Sequence, residues 1–300
     1  MKPKMTRVLC LSALTVIITA GIRWTTNDTL SLLNTSLGAV FAFFFEKLLH
    51  SVEDLGDDTD WKSSLRKLER GGFVEPDTPI RISFAYLYRI IIGNKYLLVK
   101  NSRRTGKFQP VGGVYKMSQK EKLELKNRYS AMDDDKIPID ESSLNDYRLR
   151  VPSRFLRRFV WRFSHQAERE NFVNLGRELK EELVDKGVVS WKRIRYRVCG
   201  RYMSEVRFEQ HFQVFELQLA DIVELLPTSE QARDLEVLMQ SPADGYIFAT
   251  REEIESLGIN TEAHQLSETI ADHSLRILQE KESTLMRVSD QGRIYSVEIQ

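Results

Sequence analysis

The chain has 300 residues, 42% of them hydrophobic and 29% charged, with 44 basic against 43 acidic side chains. Such a chain can bury a real core, and its balance excludes a disordered tail, a collagen-like repeat and a uniformly basic nucleic-acid wrapper. Cys10 and Cys199 are its two cysteines; they exclude a disulfide framework and fit a reduced compartment.

Apolar residues crowd the N-terminus. Val8 to Ile22 and Thr29 to Phe45 carry no charge and flank the polar Thr25-Thr26-Asn27-Asp28. Each run falls a little short of the about 20 apolar residues of a membrane span, with Trp24 extending the first and Leu48-Leu49 the second. The pattern predicts a transmembrane helical hairpin over residues 1–50, with helices at about 6–24 and 29–49. Lys2, Lys4 and Arg7 precede the first helix and Lys47, His50, Lys62, Arg66 and Lys67 follow the second, with only Arg23 between. The positive-inside rule then predicts a two-pass membrane protein with both termini cytoplasmic. The basic start and Ala20-Gly21 also fit a cleaved signal peptide, but a second apolar run following at once favours the hairpin. Ser12, Thr15 and Thr19, and Ser31, Asn34, Thr35 and Gly38, form polar stripes that suit helix packing in lipid or a polar path between assembled hairpins.

Residues 51–77 read as a juxtamembrane linker, acidic and then basic, helical around Trp61 to Arg70 and stopped by Gly71-Gly72. Residues 78–300 read as one folded domain. Ile80 to Ile92, the Gly93-Asn94 turn and Tyr96 to Lys100 predict a hairpin. Gly112-Gly113 then gives a backbone able to approach a ligand closely. A polar insertion follows at about 115–164, with Asp133-Asp134-Asp135 and Pro138. Next comes a predicted helix, Gln166 to Lys186, whose apolar face is Phe172, Leu175, Leu179 and Leu183. Beside that face Glu178, Glu181 and Glu182 stand at i, i+3 and i+4. Three such carboxylates are either a solvated acidic face or a Mg2+ or Mn2+ site that holds a diphosphate. Strands are predicted around Trp191 to Met203, Val206 to Leu219 and Tyr246 to Ala249, and a terminal hairpin over Leu285 to Ile299.

Between Tyr147 and Phe163 stand six arginines, Arg148, Arg150, Arg154, Arg157, Arg158 and Arg162, with no Asp or Glu. Tyr147, Phe155, Phe159, Trp161 and Phe163 are interleaved among them. Guanidinium forks suit phosphates and aromatic faces stack bases, so Arg154, Arg157, Arg158, Arg162 and Trp161 are candidate nucleotide contacts. The alternation from Phe159 to Phe163 equally fits a half-buried strand with a charged outer face, or a patch against anionic lipid. The histidines at 165, 211, 264 and 273 lack cysteine partners or zinc spacing. No phosphate loop, dinucleotide fingerprint or nucleophile elbow appears.

Gly112-Gly113 behind a hairpin, followed by Arg177-Glu178-Leu179-Lys180-Glu181-Glu182-Leu183, resembles the Nudix box. The resemblance implies an α+β chain: a transmembrane hairpin followed by a cytoplasmic Nudix-like α/β/α sandwich with a large insertion. Gly112 and Gly113 would then join the nucleotide site, and Glu178, Glu181 and Glu182 would hold Mg2+ or Mn2+. The chain departs from the box by inserting about fifty residues. Arg169, between Glu168 and Glu170, stands where the family has Glu, and Val184 stands where it has Gly. Those departures imply a binding domain with impaired hydrolysis and no assigned catalytic residue. If hydrolysis persists, Glu181 and Glu182 would serve a membrane-tethered, Mg-dependent hydrolase of a nucleoside diphosphate derivative.

Two apolar helices ahead of such a domain are similar to the Nudix membrane effectors of bacterial CBASS antiphage systems. That resemblance implies a cyclic oligonucleotide ligand made by a CD-NTase synthase, no DNA partner, homo-oligomerisation on activation, placement in the bacterial inner membrane and disruption of that lipid bilayer.

Overall fold

The computed structural model describes residues 3–24, 38, 40–48, 61–101, 105–136, 143–241, 243–259, 268–279 and 285–299. The chain divides into two compact units, residues 1–63 and 64–300.

In the first unit, α1 (Pro3–Trp24) is a helix of 22 residues. Thr15 and Thr19 donate their hydroxyls to the carbonyls of Leu11 and Thr15, each at 2.7 Å. These hydroxyls are thus satisfied within their own helix. Residues 40–48 are also helical. Among the described residues no helix is long and apolar enough to cross a membrane. This corrects the expected transmembrane hairpin and, with it, the two-pass inner-membrane placement. The physical reason lies in length. The uncharged run of α1, Val8 to Ile22, is shorter than the about 20 apolar residues that a bilayer core requires. The start of the second expected helix, residues 29–37, lies outside the described residues.

The division between the units falls inside α2 (Trp61–Arg70), a helix that ends at Gly71-Gly72 as its sequence requires. The second unit opens with β1 (Pro79–Arg89), the central strand of the fold. The chain continues through β2 (Ile91–Ile92), β3 (Lys95–Lys100), β4 (Phe108–Gln109) and β5 (Gly112–Val114). Residues after β5 form α3 (Gln119–Tyr129), β6 (Met132–Asp133), β7 (Arg148–Pro152) and α4 (Ser153–His165). Then come α5 (Gly176–Leu179), continued as a π turn over Lys180–Val184, β8 (Arg193–Met203), β9 (Arg207–Glu209) and β10 (Val214–Leu225). The last elements are α6 (Ser229–Gln240), β11 (Tyr246–Ala249), α7 (Arg251–Glu255), a 3-10 segment (Asp272–Leu278) and β12 (Ile294–Glu298).

Eight strands make the main sheet, in the order β12-β8-β10-β1-β7-β6, with β5 also on β1 and β9 on β10. β1 and β10 run parallel, Ile80 opposite Phe215 through Arg89 opposite Glu224. One edge of β1 is shared: Pro79 to Ser83 pair with β7, and Ala85 to Leu87 pair with β5. The chain leaves and returns at Phe84. The Tyr115 N–H donates to the Phe84 carbonyl at 3.0 Å, the Tyr147 N–H to Tyr115 at 2.8 Å, and the Phe84 N–H to Tyr147 at 3.1 Å. Residues between Tyr115 and Tyr147 thus add an edge to the sheet without breaking its ladder.

The strand period of two sorts β1 into two faces. Ile80, Ile82, Phe84, Tyr86 and Tyr88 are all fully buried and meet α4 and the α5 segment. On the other face Leu87, Ala220 and Ile222 pack with Tyr96, Leu98 and Ile277, from β3 and the 3-10 segment. β11, β3 and β2, with β4 on β3, form this smaller sheet. The unit is therefore mixed α/β with a Nudix-like sheet, helices on one face and a second sheet on part of the other. On that face α7, through Ile254, and the 3-10 segment, through Ile277 and Leu278, join the second sheet in one cluster.

α4 also corrects an expectation. Leu156, Phe159, Val160 and Phe163 are buried along it, at the helical spacing of 3, 4 and 7. The five-residue alternation that imitates a strand is part of this longer period. Residues 166–175, expected to begin a long helix, are not helical, and the helix starts at Gly176.

Candidate functional site

Gly112 and Gly113 lie on β5, against the central strand, and the α5 segment lies over them. The first reason for glycine is space. A Cβ on Gly113 would stand 1.9 Å from Oε1 of Glu178, and one on Gly112, whose φ is +152°, 2.3 Å from the Tyr86 carbonyl oxygen. The bare backbone lets two carboxylates come down onto the strand. Glu182 accepts the Gly112 N–H at 3.0 Å.

Arg177 organises the rest. Its Nε donates to Oε1 of Glu170 at 2.7 Å, its Nη2 to Oε2 of Glu170 at 3.2 Å and to the Val114 carbonyl at 3.0 Å, and its Nη1 to Glu178. Glu170 also accepts the Lys116 N–H at 2.9 Å. The arginine–glutamate pair of the box is thus present, formed by Glu170 and not by the residue at Arg169. Reading the box at fixed spacing hides it, since the partner stands one position along. Arg169 instead lies over the rings of Phe163, at 3.8 Å, and Tyr115, at 4.5 Å.

Tyrosines fix the segment to the sheet. Tyr88 donates its hydroxyl to the Leu175 carbonyl at 2.9 Å, and Tyr196 donates to Phe172 at 2.7 Å while accepting the Leu175 N–H at 3.1 Å. The π turn that follows is the kind of helix irregularity found at functional sites.

Burial dominates the electrostatics. It pushes the Glu178 carboxyl upwards, with Arg177 opposing and Glu181 reinforcing the shift. Glu182 is pushed up to about 8 by burial and then by the Glu178 charge, with the Gly112 N–H only partly offsetting them. Burial disfavours the Arg177 charge, but Glu170 and Glu178 more than compensate and hold it protonated. A carboxyl with a raised native pKa binds its proton more tightly when folded. The stability it contributes is full below its ordinary value near 4.5 and is lost as pH rises through about 8. Glu182→Gln is therefore expected to gain melting temperature relative to the parent as pH rises from about 5 to about 8; a difference that does not change with pH would contradict this.

The three box glutamates do not converge. Glu178 is held by Arg177, Glu182 by Gly112, and Glu181 is half-exposed with Arg177 at 3.5 Å. Among the described residues no group of three His, Cys, Asp or Glu is placed to hold a metal ion. Arg177 lies against both the Glu178 and the Glu181 carboxylates.

The arginine candidates divide. Arg162 makes a two-pronged pair with Glu121, Nε to Oε1 at 2.9 Å and Nη2 to Oε2 at 2.6 Å, and Glu121 also accepts the Tyr147 hydroxyl at 3.0 Å. Arg154 pairs with Asp77. Arg157 and Arg158 are exposed. Trp161 is 51% exposed and stacks on His165 at 4.8 Å and 14°. Spacings of four and eight put Arg157, Trp161 and His165 on one stripe of α4, and Arg158, three residues before Trp161, adjoins it. This stripe is apart from the box, which faces the sheet through Tyr86 and Gly113.

Sequence reading missed Asp221 and Arg201. Arg201 donates from Nε to Oδ1 of Asp221 at 2.6 Å and from Nη2 to Oδ2 at 2.9 Å, and the Tyr115 hydroxyl donates to Oδ2 at 2.7 Å. Nothing in the spacing of these residues announces the cluster, because strand register brings it together.

No curated protein matches the chain, and no solved structure does. The family described as SMODS-associated NUDIX domain matches residues 79–278, a span that includes the box, α4 and every strand of both sheets except β12. That match covers about two thirds of the sequence, so the chain belongs to the SMODS-associated NUDIX domain family and carries a Nudix domain of the CBASS-associated kind, functionally linked to CD-NTase systems.

Proposed function

We propose that this chain is a CBASS effector whose Nudix domain is a receptor for a cyclic oligonucleotide second messenger. Membership of the SMODS-associated family carries the reading. The box supports binding over turnover, because its arginine and two of its glutamates are committed to one another and to β5.

The α4 stripe supplies suitable chemistry for an anionic, base-bearing ligand. Arg157 and Arg158 offer guanidinium forks to phosphates, and Trp161 offers an open face already stacked on one side by His165. Binding acts on the protein only through different affinities for two states. We take the second state to be a self-associated one. Val16 and Ile17 on α1 are each 66% exposed, apolar surface that a second copy would cover.

Titration of the full chain with a panel of cyclic di- and trinucleotides tests the stripe. Arg157→Glu with Arg158→Glu is expected to weaken the bound member on the order of a hundredfold, as loss of two charge-assisted contacts implies. Unchanged affinity would remove the stripe from the ligand site.

A further inference from the structure

At the β6 edge of the main sheet the chain encloses a space that neither the box nor the α4 stripe uses. α3 ends where Ser130, at a φ of +52°, donates its N–H to the Leu125 carbonyl. The chain turns back there into β6, the last strand in the sheet order. β6 pairs with β7, Met132 opposite Arg150 and Asp133 opposite Leu149. Between α3 and these strands lies a cavity of about 360 Å3, within the roughly 300–1,000 Å3 of small-molecule sites.

Its lining is apolar inside and charged at one side. Met117, Leu125, Ala131 and Leu149 are buried there, whereas Leu123 and Met132 are 60% and 52% exposed. The thioethers of Met117 and Met132 suit an aromatic ring, against which polarisable sulfur packs favourably. Lys122 on α3 pairs with Asp133 on β6 at 2.9 Å, and both residues line the cavity. Lys126, one turn along the same face of α3, also lines it and is exposed. Among the described residues no carboxylate lies within ion-pair distance of Lys126. The charged lining is thus two lysines against one aspartate, and the surplus positive charge favours an anion. A bare anion would gain nothing from the apolar walls, and a neutral ring nothing from Lys126.

We infer that this cavity is a binding site for a small aromatic anion, its ring against Met117, Leu125 and Leu149 and its anionic group on Lys126. The cavity shares no residue with the box or the α4 stripe, so the inference does not depend on that stripe binding nucleotide. A base and phosphate of the second messenger have this chemistry, and so does a separate aromatic carboxylate or phosphate.

The test titrates the full chain with anilinonaphthalene sulfonate, an aromatic anion whose fluorescence rises as it leaves water. Saturable binding by the parent is expected. Lys126→Gln is expected to weaken it about tenfold, the loss of one charge-assisted contact. Ala131→Leu is expected to weaken it at least as much, because its added carbons occupy the space the ring needs. Lys126 is exposed, so its variant keeps the test valid if Ala131→Leu fails to fold. Dye held on other apolar surface, such as Val16 and Ile17 of α1, would respond to neither variant. Absence of saturable binding by the parent, or an affinity of Lys126→Gln within about twofold of it, would therefore overturn the site. Given the expected loss in Lys126→Gln, displacement of the dye by a cyclic nucleotide assigns the cavity to the messenger, and dye that no member of the panel displaces assigns it to a separate aromatic anion. A chain that binds no cyclic nucleotide still has this site decided by the dye arm alone.

Discussion

Asp221→Ala is expected to be the most destabilising single change in the fold, by about 3–5 kcal/mol, the usual cost of stranding one partner of a buried ion pair. Asp221 is fully buried on β10 and Arg201 is 6% exposed on β8. The aspartate takes two bonds from Arg201 and one from Tyr115, so its removal leaves the guanidinium with only the Ser164 hydroxyl, at 2.9 Å, and the phenol without its acceptor. Burial, and then the Asp221 charge, raise the Tyr115 pKa and keep its proton in place to donate. Rings packed edge-on and tilted surround the cluster, with the Arg201 guanidinium 5.3 Å from Phe163, and water has little access to repair it. For a unit of this size the loss corresponds to about 10 °C in melting temperature. Tyr115→Phe removes one hydrogen bond and is expected to cost only about 1 kcal/mol. Pairing Asp221→Leu with Arg201→Met is expected to recover much of the loss, because removing both charges removes the stranded one. A melting temperature for Asp221→Ala within about 2 °C of the parent would show that the pair is not held as described.

Gly112→Ala is the second large effect, and it separates the two glycines. The added methyl would meet backbone atoms of the central strand, the Tyr86 oxygen at 2.3 Å and the Leu87 Cα at 3.0 Å. Neither can swing aside. β5 must lift from β1, and the Gly112 N–H to Glu182 bond goes with it, for a loss on the order of 3 kcal/mol. Gly113→Ala meets the end of the Glu178 side chain instead, and that carboxylate can rotate away. A smaller loss is expected there, with Glu178 leaving Arg177. Denaturant unfolding of both variants checks the order; equal losses would mean that β5 is not pinned to β1 at Gly112.

Local pattern made several elements legible. The β1 and β3 strands with the Gly93-Asn94 turn, α2 ending at Gly71-Gly72, and β11 leading into α7 all follow from periodicity and turn residues. The meeting of Gly112 and Gly113 with Glu178 and Glu182 was legible from a motif despite the long insertion between its halves. Register was less so: the partner of Arg177 is Glu170, one residue from the expected position, and only the folded geometry shows which glutamate reaches it. The α4 helix was obscured by five alternating residues inside a helical period. The N-terminal apolar runs carry the charge pattern of membrane spans, but among the described residues no helix is long and apolar enough to cross a membrane. The buried Asp221, Arg201 and Tyr115 cluster depends on which strands neighbour one another. A parallel pairing of β1 with β10, more than a hundred residues apart, leaves no mark in local sequence.

The most direct measurement is calorimetric titration of the full chain with cyclic di- and trinucleotides, with magnesium present and the ligand recovered and analysed afterwards. Saturable binding of one member, recovered intact, is the expected result. Absence of binding by every member, together with cleavage of a linear nucleoside diphosphate derivative that is lost in Glu181→Gln with Glu182→Gln, would contradict the receptor function and make the protein a hydrolase.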